Sequence, residues 1–538
     1  MSTASTPLDE YVWTPDSAYN YVDLGPDYII SGKFNGRTWT GYTLNMTSQR
    51  WLSDSDFSEG SQAGSLWWHY LVVIVPDEVK WTTNGTLYIT GGSNNVADRP
   101  TSDSEDILVA AALALANNIV TGALFQIPNE HMTFAADPIQ KSRTEDAIIA
   151  FTWDHFLKDP TQPNWLVRFP MIKATLRAMD TISSFMATKF PDAGYSIDYY
   201  SVSGASKRGW TTWLVGAVDP KRVVLIVPIV LDALNFAQFM HHQYRSYGNF
   251  SFALGDYSDM QIMSRIDDPN MFLLQQMEDP YCYRNRLTMP KLIVNAVLDE
   301  FQQPDDTNYW WNEMPEPKHF IMTPNAEHSE ATGIFEIVPA ISAFIKYNLE
   351  KSTVPKFTWD ISTSTGAITT TLDEKGLVHE ANVWWAYSCG TNPSDGVMRR
   401  DFRCASLDNP CKCGIYAQGT CANLKSLWSK QQLNSTMVKG HRTFSSQLSA
   451  PGDGRWIAYM VEVTYRKNLL DKDFELSRFT DIGGRILDRI PPLPHDLIGR
   501  LVFTSQMSIW PNTFPYPDCQ GVSSGASPAI PACGNGLC

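Results

Sequence analysis

From His69 onward the chain alternates short unbroken apolar runs with longer stretches of helical period. His69–Val75 (HYLVVIV) is closed by Pro76, and Thr86–Thr90 (TLYIT) by Gly91 and Gly92. Runs of this kind mark strands buried on both faces, as in a mostly parallel sheet covered by helices. The same reading predicts further strands at Thr121–Gln126, Ile197–Val202, Val223–Val230, Leu292–Val297 and Phe320–Thr323. Between them, helical period predicts helices at about Asp106–Ala116, Thr144–Phe156, Phe169–Lys189, from Ser206, and at Ile334–Asn348. Ser102–Glu105 has capping-box form just ahead of the first of these. Alternating strands and helices over residues 1–350 predict an α/β domain with helices on both faces of the sheet.

The pattern changes twice. Residues 231–290, rich in Met, Phe and Tyr, sit between two core strands and read either as a lid over a site or as ordinary packing helices. After a linker at Lys351–Pro355, strand-period alternation takes over at Thr358–Ser362, Ala367–Leu372, Val383–Ser388 and Trp456–Tyr465. That predicts a β-rich, sandwich-like second domain over 356–510. Residues 511–538, rich in Pro, Gly, Ser and Cys, read as an irregular disulfide-pinned tail.

Composition narrows the function. At 538 residues, 43% hydrophobic and 18% charged, the chain is globular and large enough for several cores. A formal charge of −15 argues against nucleic acid or an anionic membrane as partner, since both select a basic surface. The apolar stretch Leu108–Phe125 is interrupted by Asn117, Asn118 and Thr121, so no membrane span is expected. The partner this leaves is a small-molecule or peptide substrate, with no cofactor and no metal implied and the oligomeric state open.

Of nine cysteines, only Cys282 precedes residue 389; the rest are Cys389, Cys404, Cys411, Cys413, Cys421, Cys519, Cys533 and Cys538. Those eight suffice for four disulfides, with Cys282 left free. A zinc site on Cys404, Cys411, Cys413 and Cys421 is the alternative, weakened by the lack of a paired C-x₂-C spacing. Sequons at Asn45, Asn84, Asn249 and Asn434 join the cysteines in favouring a secreted, oxidised, glycosylated protein. No apolar signal-peptide run follows Met1, which stands against that reading.

The sharpest chemical feature is Ser203–Trp210 (SGASKRGW), which closes a predicted strand and opens a predicted helix. A nucleophilic serine needs that setting: a tight turn lifts its Oγ clear of the sheet, and small neighbours let the helix approach. Here Gly204-x-Ser206-x-x-Gly209 departs from the usual G-x-S-x-G, with Arg208 where a small residue is common. Such a serine needs a base and an orienting acid, which in this kind of fold follow in the order Ser, Asp, His. Asp299 stands just past the strand Leu292–Val297, and His328 lies in the loop after Phe320–Thr323. His319, at the wrong end of its strand, is passed over. Asp232, after the strand Val223–Val230, is the alternative acid, and Glu300, Asp305 and Asp306 stand near enough to Asp299 to serve instead. The backbone N–H of Lys207 and one from the Gly91–Asn94 loop, at Gly92 or Ser93, would form the oxyanion hole.

The SKRGW elbow, Arg143–Asp146 leading into Thr152–Asp154, Arg177–Asp180, Arg286–Pro290, Asp299–Phe301 and Pro324–His328 resemble the PhoPQ-activated pathogenicity-related proteins. The resemblance spans roughly residues 8–470 and includes Arg400–Arg403. It implies an α/β-hydrolase fold related to dipeptidyl peptidases, followed by a β domain. Together with the expected triad this predicts a serine hydrolase acting on an amide or an ester, with a slight preference for peptides over esters. The alternative is a secreted signalling or binding protein that keeps the fold without turnover. Cys282, Gln302 and Gln303 depart from the family pattern, and none of the three belongs to the expected triad.

Overall fold

The structure is a computed structural model that describes residues 5–34, 36–373, 378–392, 394–465, 501–521, 533–534 and 536–538. Residues 466–500 of the expected β-rich region and 522–532 of the expected tail lie outside the described residues. Among the described residues, 5–229 with 276–291 make one compact unit, and 230–275 with 292–465 and 501–538 make the other.

The first unit opens with helix α1 (Pro7–Trp13), whose N-terminus is closed by a reciprocal Thr6–Asp9 capping box. Strands β1 (Asn20–Asp23), β2 (Ile30–Phe34), β3 (Arg37–Arg50) and β4 (Leu66–Pro76) follow, then β5 (Trp81–Ile89). Helix α2 (Glu105–Asn117) precedes β6 (Ile119–Leu124), and α3 (Glu145–Lys158) and α4 (Arg168–Lys189) precede β7 (Tyr199–Ala205). Helix α5 (Lys207–Val218) and β8 (Val223–Ile229) complete the series. The sheet order is β1-β3-β4-β6-β5-β7-β8, with β2 beside β3.

Direction changes across this sheet. β4 runs antiparallel to both β3 and β6, so the expected strand at His69–Val75 is present but is not part of the parallel set. β6, β5, β7 and β8 are mutually parallel. All positions of β6 are buried, which is why its sequence is continuously apolar rather than alternating. Asn118, left-handed at φ 52°, ends α2 and turns the chain directly into β6. The strand expected at Thr121–Gln126 starts two residues earlier and stops at Leu124. Gln126 has φ 62°, and its amide group leaves the ladder to bond the Gly91 carbonyl.

The apolar stretch at 108–125 is therefore a helix and a buried strand. Among the described residues no helix is long and apolar enough to cross a membrane.

The second unit contains strands β9 (Lys291–Ala296) and β10 (Lys318–Thr323), helix α6 (Phe236–Tyr247) and helix α7 (Ile334–Leu349). Beyond them Phe357–Ile361, Ile368–Leu372, His441–Ser446 and Thr436–Val438 form one antiparallel sheet. Val378–Tyr387 and Ile457–Tyr465 anchor a second. The cysteines correct two expectations. Three disulfides form, Cys389–Cys413, Cys411–Cys421 and Cys519–Cys533, rather than four. Cys404 and Cys538 remain thiols alongside Cys282; the Cys404 thiol donates to Glu300, and Cys538 accepts from Arg403. The zinc alternative falls with the same pairing, since three of its four ligands are consumed in disulfides.

Candidate active site

At the end of β7 the chain turns through Ser206 with φ 57° and ψ −125°, and α5 begins at the next residue. This backbone conformation is costly for any residue with a Cβ, of order 1–3 kcal/mol, and persists only where neighbours hold it. Two bonds do so here: the Ser206 N–H donates to the Ile229 carbonyl of β8 at 2.9 Å, and the Ser206 carbonyl accepts from Trp210 at 3.0 Å. Gly204 lets the helix approach. A Cβ on it would lie 2.9 Å from both the Cβ and the carbonyl oxygen of Arg208.

The cationic residues after the serine have definite partners. The Lys207 ammonium meets Glu145 at 2.8 Å and Asp146 at 3.0 Å, so its charge is matched inside the protein. The Arg208 guanidinium donates to Glu145 at 2.5 Å and to the Ile127 carbonyl at 2.5 Å. Burial alone would raise the Glu145 carboxyl, but Arg208 and Lys207 outweigh it and hold the group down at about 2. Burial, and then the Glu145 charge, push neighbouring Glu130 up to about 7. Sequence reasoning gave these two acids no role; the pair of cations following the serine was the available signal, since buried cations require partners.

The Gly91–Asn94 loop is tied down from several sides. Gln126 donates through its backbone to the Gly91 carbonyl at 2.9 Å and through its side chain to the Ser93 carbonyl at 3.3 Å. Asn94 N–H reaches the Glu130 carbonyl at 2.7 Å. Gly92 has φ 117°, a conformation that selects glycine. Ser93 Oγ lies 3.4 Å from Nε2 of His131, a residue the sequence did not single out. Lys207 is the first residue of α5, so its N–H belongs to the set with no acceptor inside the helix.

In the second unit His328 and Asp299 come together, with His328 Nδ1 2.8 Å from Asp299 Oδ2. The other carboxylate oxygen accepts the N–H groups of Phe301 at 2.7 Å and Gln302 at 3.1 Å. A carboxylate so engaged is an acceptor, so Nδ1 carries the proton and Nε2 is left as the basic nitrogen. Phe301 packs its ring 4.4 Å from the imidazole. The backbone N–H of His328 donates to Glu300 at 3.1 Å, and Glu300 in turn accepts from the Cys404 thiol at 2.8 Å. Asp232, the other acid considered, accepts from the Trp310 indole at 2.5 Å. Its carboxyl is raised far above the usual range by burial and then by Asp306.

A parallel strand that turns through a strained serine into a helix, in a sheet led by an antiparallel strand, defines the α/β-hydrolase fold. Within that class, the chain belongs to the PhoPQ-activated pathogenicity-related protein family, whose model matches residues 8–403. It is 34% identical over 546 residues to autocrine proliferation repressor protein A of Dictyostelium discoideum, covering 99% of this chain and 95% of that one. Among solved structures it is similar to an acetyl xylan esterase of Paenibacillus at 14% identity and TM-score 0.38, covering 63% of this chain and 95% of that one. A puromycin-hydrolyzing peptidase of Mycobacterium tuberculosis matches at 12% identity and TM-score 0.32, with 57% and 45% covered.

Proposed function

We propose that this protein is a serine hydrolase that cleaves an ester or amide bond through an acyl-enzyme on Ser206. The observation that carries this reading is the Ser206 backbone at φ 57° and ψ −125°, a costly conformation at the turn from strand into helix. His328, through Nε2, takes the Ser206 proton during attack and returns it to the leaving group. Asp299 holds the imidazole in the required tautomer and stabilises its charged form. The N–H groups of Lys207 and of Gly92 or Ser93 receive the developing oxyanion, a term worth about 3–4 kcal/mol per donor. Peptides are slightly preferred as substrates, with esters close behind.

The disulfides and the sequon at exposed Asn434 support a secreted, glycosylated form. A fluorophosphonate probe tests the reading directly. Wild type is expected to label and Ser206→Ala is not, and p-nitrophenyl esters run beside aminoacyl-nitroanilides would name the bond cleaved. A folded wild type that stays unlabelled would overturn the enzyme and favour a secreted signalling or binding protein.

A further inference from the structure

The Cys519–Cys533 disulfide does not sit in apolar surroundings. His241 of α6 places Nδ1 3.9 Å from Cys519 Sγ, and a ring nitrogen of His241, Cys519 Sγ and Cys533 Sγ all lie within 4.8 Å of one another. The same Nδ1 is 2.8 Å from Asp518 Oδ1. On the far side of the ring, Nε2 is 2.9 Å from Asp267 Oδ1, and the other Asp267 oxygen accepts the Gly521 N–H at 2.5 Å. Both sulfurs are buried, while Asp518 faces solvent and leaves an entry path.

Two sulfurs, one imidazole nitrogen and one carboxylate are the donor set of a tetrahedral zinc ion. Ligands held about 2.0–2.3 Å from such an ion are about 3.3–3.8 Å apart, close to the present spacing of Cys519 Sγ and His241 Nδ1. Asp267 supplies what a ligating imidazole commonly has, a carboxylate on its other nitrogen that fixes ring orientation. The segment would also stay in place without its sulfur–sulfur bond. Arg245 of α6 lies over Phe514 at 3.8 Å, and the Tyr516 N–H bonds the Arg245 carbonyl at 3.2 Å.

We propose that a dithiol reductant converts this corner into a zinc site formed by Cys519, Cys533, His241 and Asp518. The sulfur–sulfur bond takes up two electrons and two protons while the reductant closes its own disulfide. Zinc then displaces the two thiol protons and any proton held between Nδ1 and Asp518, binds Nδ1, and leaves the Nε2–H donating to Asp267. The segment is thereby held to α6 by a covalent bond in oxidising surroundings and by a metal in reducing ones, and this holds whether or not Ser206 is a nucleophile.

The test is a cobalt titration of the full chain, before and after anaerobic treatment with a phosphine reductant that competes little for metal. One equivalent of cobalt with tetrahedral visible bands and thiolate charge-transfer absorption is expected only after reduction, bleached by added zinc. Reduction also frees the other cysteine pairs, so the C519S/C533S variant assigns the signal and is expected to lack it. His241→Gln, which keeps every thiol, and Asp267→Asn are expected to weaken binding by about 10–100-fold. Absent bands in the reduced wild type, full-strength bands in C519S/C533S, or unchanged affinity in His241→Gln would each overturn the site.

Discussion

Arg208 and residue 91 compete for the same space. A methyl group on Gly91 would lie 2.2 Å from an Arg208 guanidinium nitrogen, and that guanidinium is clamped by Glu145 and by the Ile127 carbonyl. The large residue that breaks the small-residue pattern of the elbow is thus accommodated by a missing side chain in the neighbouring loop. Gly91→Ala is expected to cost about 1–3 kcal/mol through overpacking. Because it displaces the loop bearing Gly92 and Ser93, it should also lower kcat more than it raises KM. Thermal melts together with steady-state kinetics on the best substrate check both parts.

Ser206 carries the opposite expectation. Glycine relieves a backbone strain of about 1–3 kcal/mol and returns about 0.5–1 kcal/mol through its larger unfolded-state entropy. Ser206→Gly should therefore abolish probe labelling and melt a few degrees higher than wild type. A variant that melts lower would show that the turn is not strained.

The two acids separate by mutation. Asp299→Asn leaves the shape of the pair but removes the acceptor that holds the His328 tautomer, and should reduce kcat by about 10⁴. Asp232→Asn changes a carboxyl bonded to Trp310 and already driven toward its neutral form, and should leave kcat within about tenfold. Equal losses in both variants would assign the orienting role to neither.

Glu130, pushed up to about 7, makes stability depend on pH in a defined window. Its folded-state pKa lies above its unfolded value, so the native state binds more protons and stability falls as pH rises. The contribution is whole below about 4.5 and is lost as pH climbs through about 7. Glu145, held down at about 2, has the reverse sign: its contribution is present above about 4.5 and disappears toward pH 2. Glu130→Gln should flatten the fall in Tm between pH 5 and 8 by a few degrees without altering the acid limb. An unchanged profile in melts across that range would refute the assignment.

Thiol counting checks the cysteine framework. The unreduced, denatured chain should titrate three thiols, those of Cys282, Cys404 and Cys538, and peptide mapping should return the pairs Cys389–Cys413, Cys411–Cys421 and Cys519–Cys533. In the native protein exposed Cys282 should react first. A count of one would restore the fourth disulfide.

The sequence by itself determined the elements. Apart from α6, which lies in a region the sequence left open, the strands and helices from β4 to α7 appear within a few residues of where hydrophobic period places them, because burial on one face or two leaves a local trace. Ser206 at a strand-to-helix junction was legible for the same reason, as were Asp299 and His328 at the ends of their strands. Pairing was not. The antiparallel course of β4, the fit of Arg208 beside Gly91, and the Cys404–Glu300 contact all join residues remote along the chain. Only the tertiary structure decided them, since period reports whether a side chain is buried, whereas contact depends on which other buried side chain arrives at the same point.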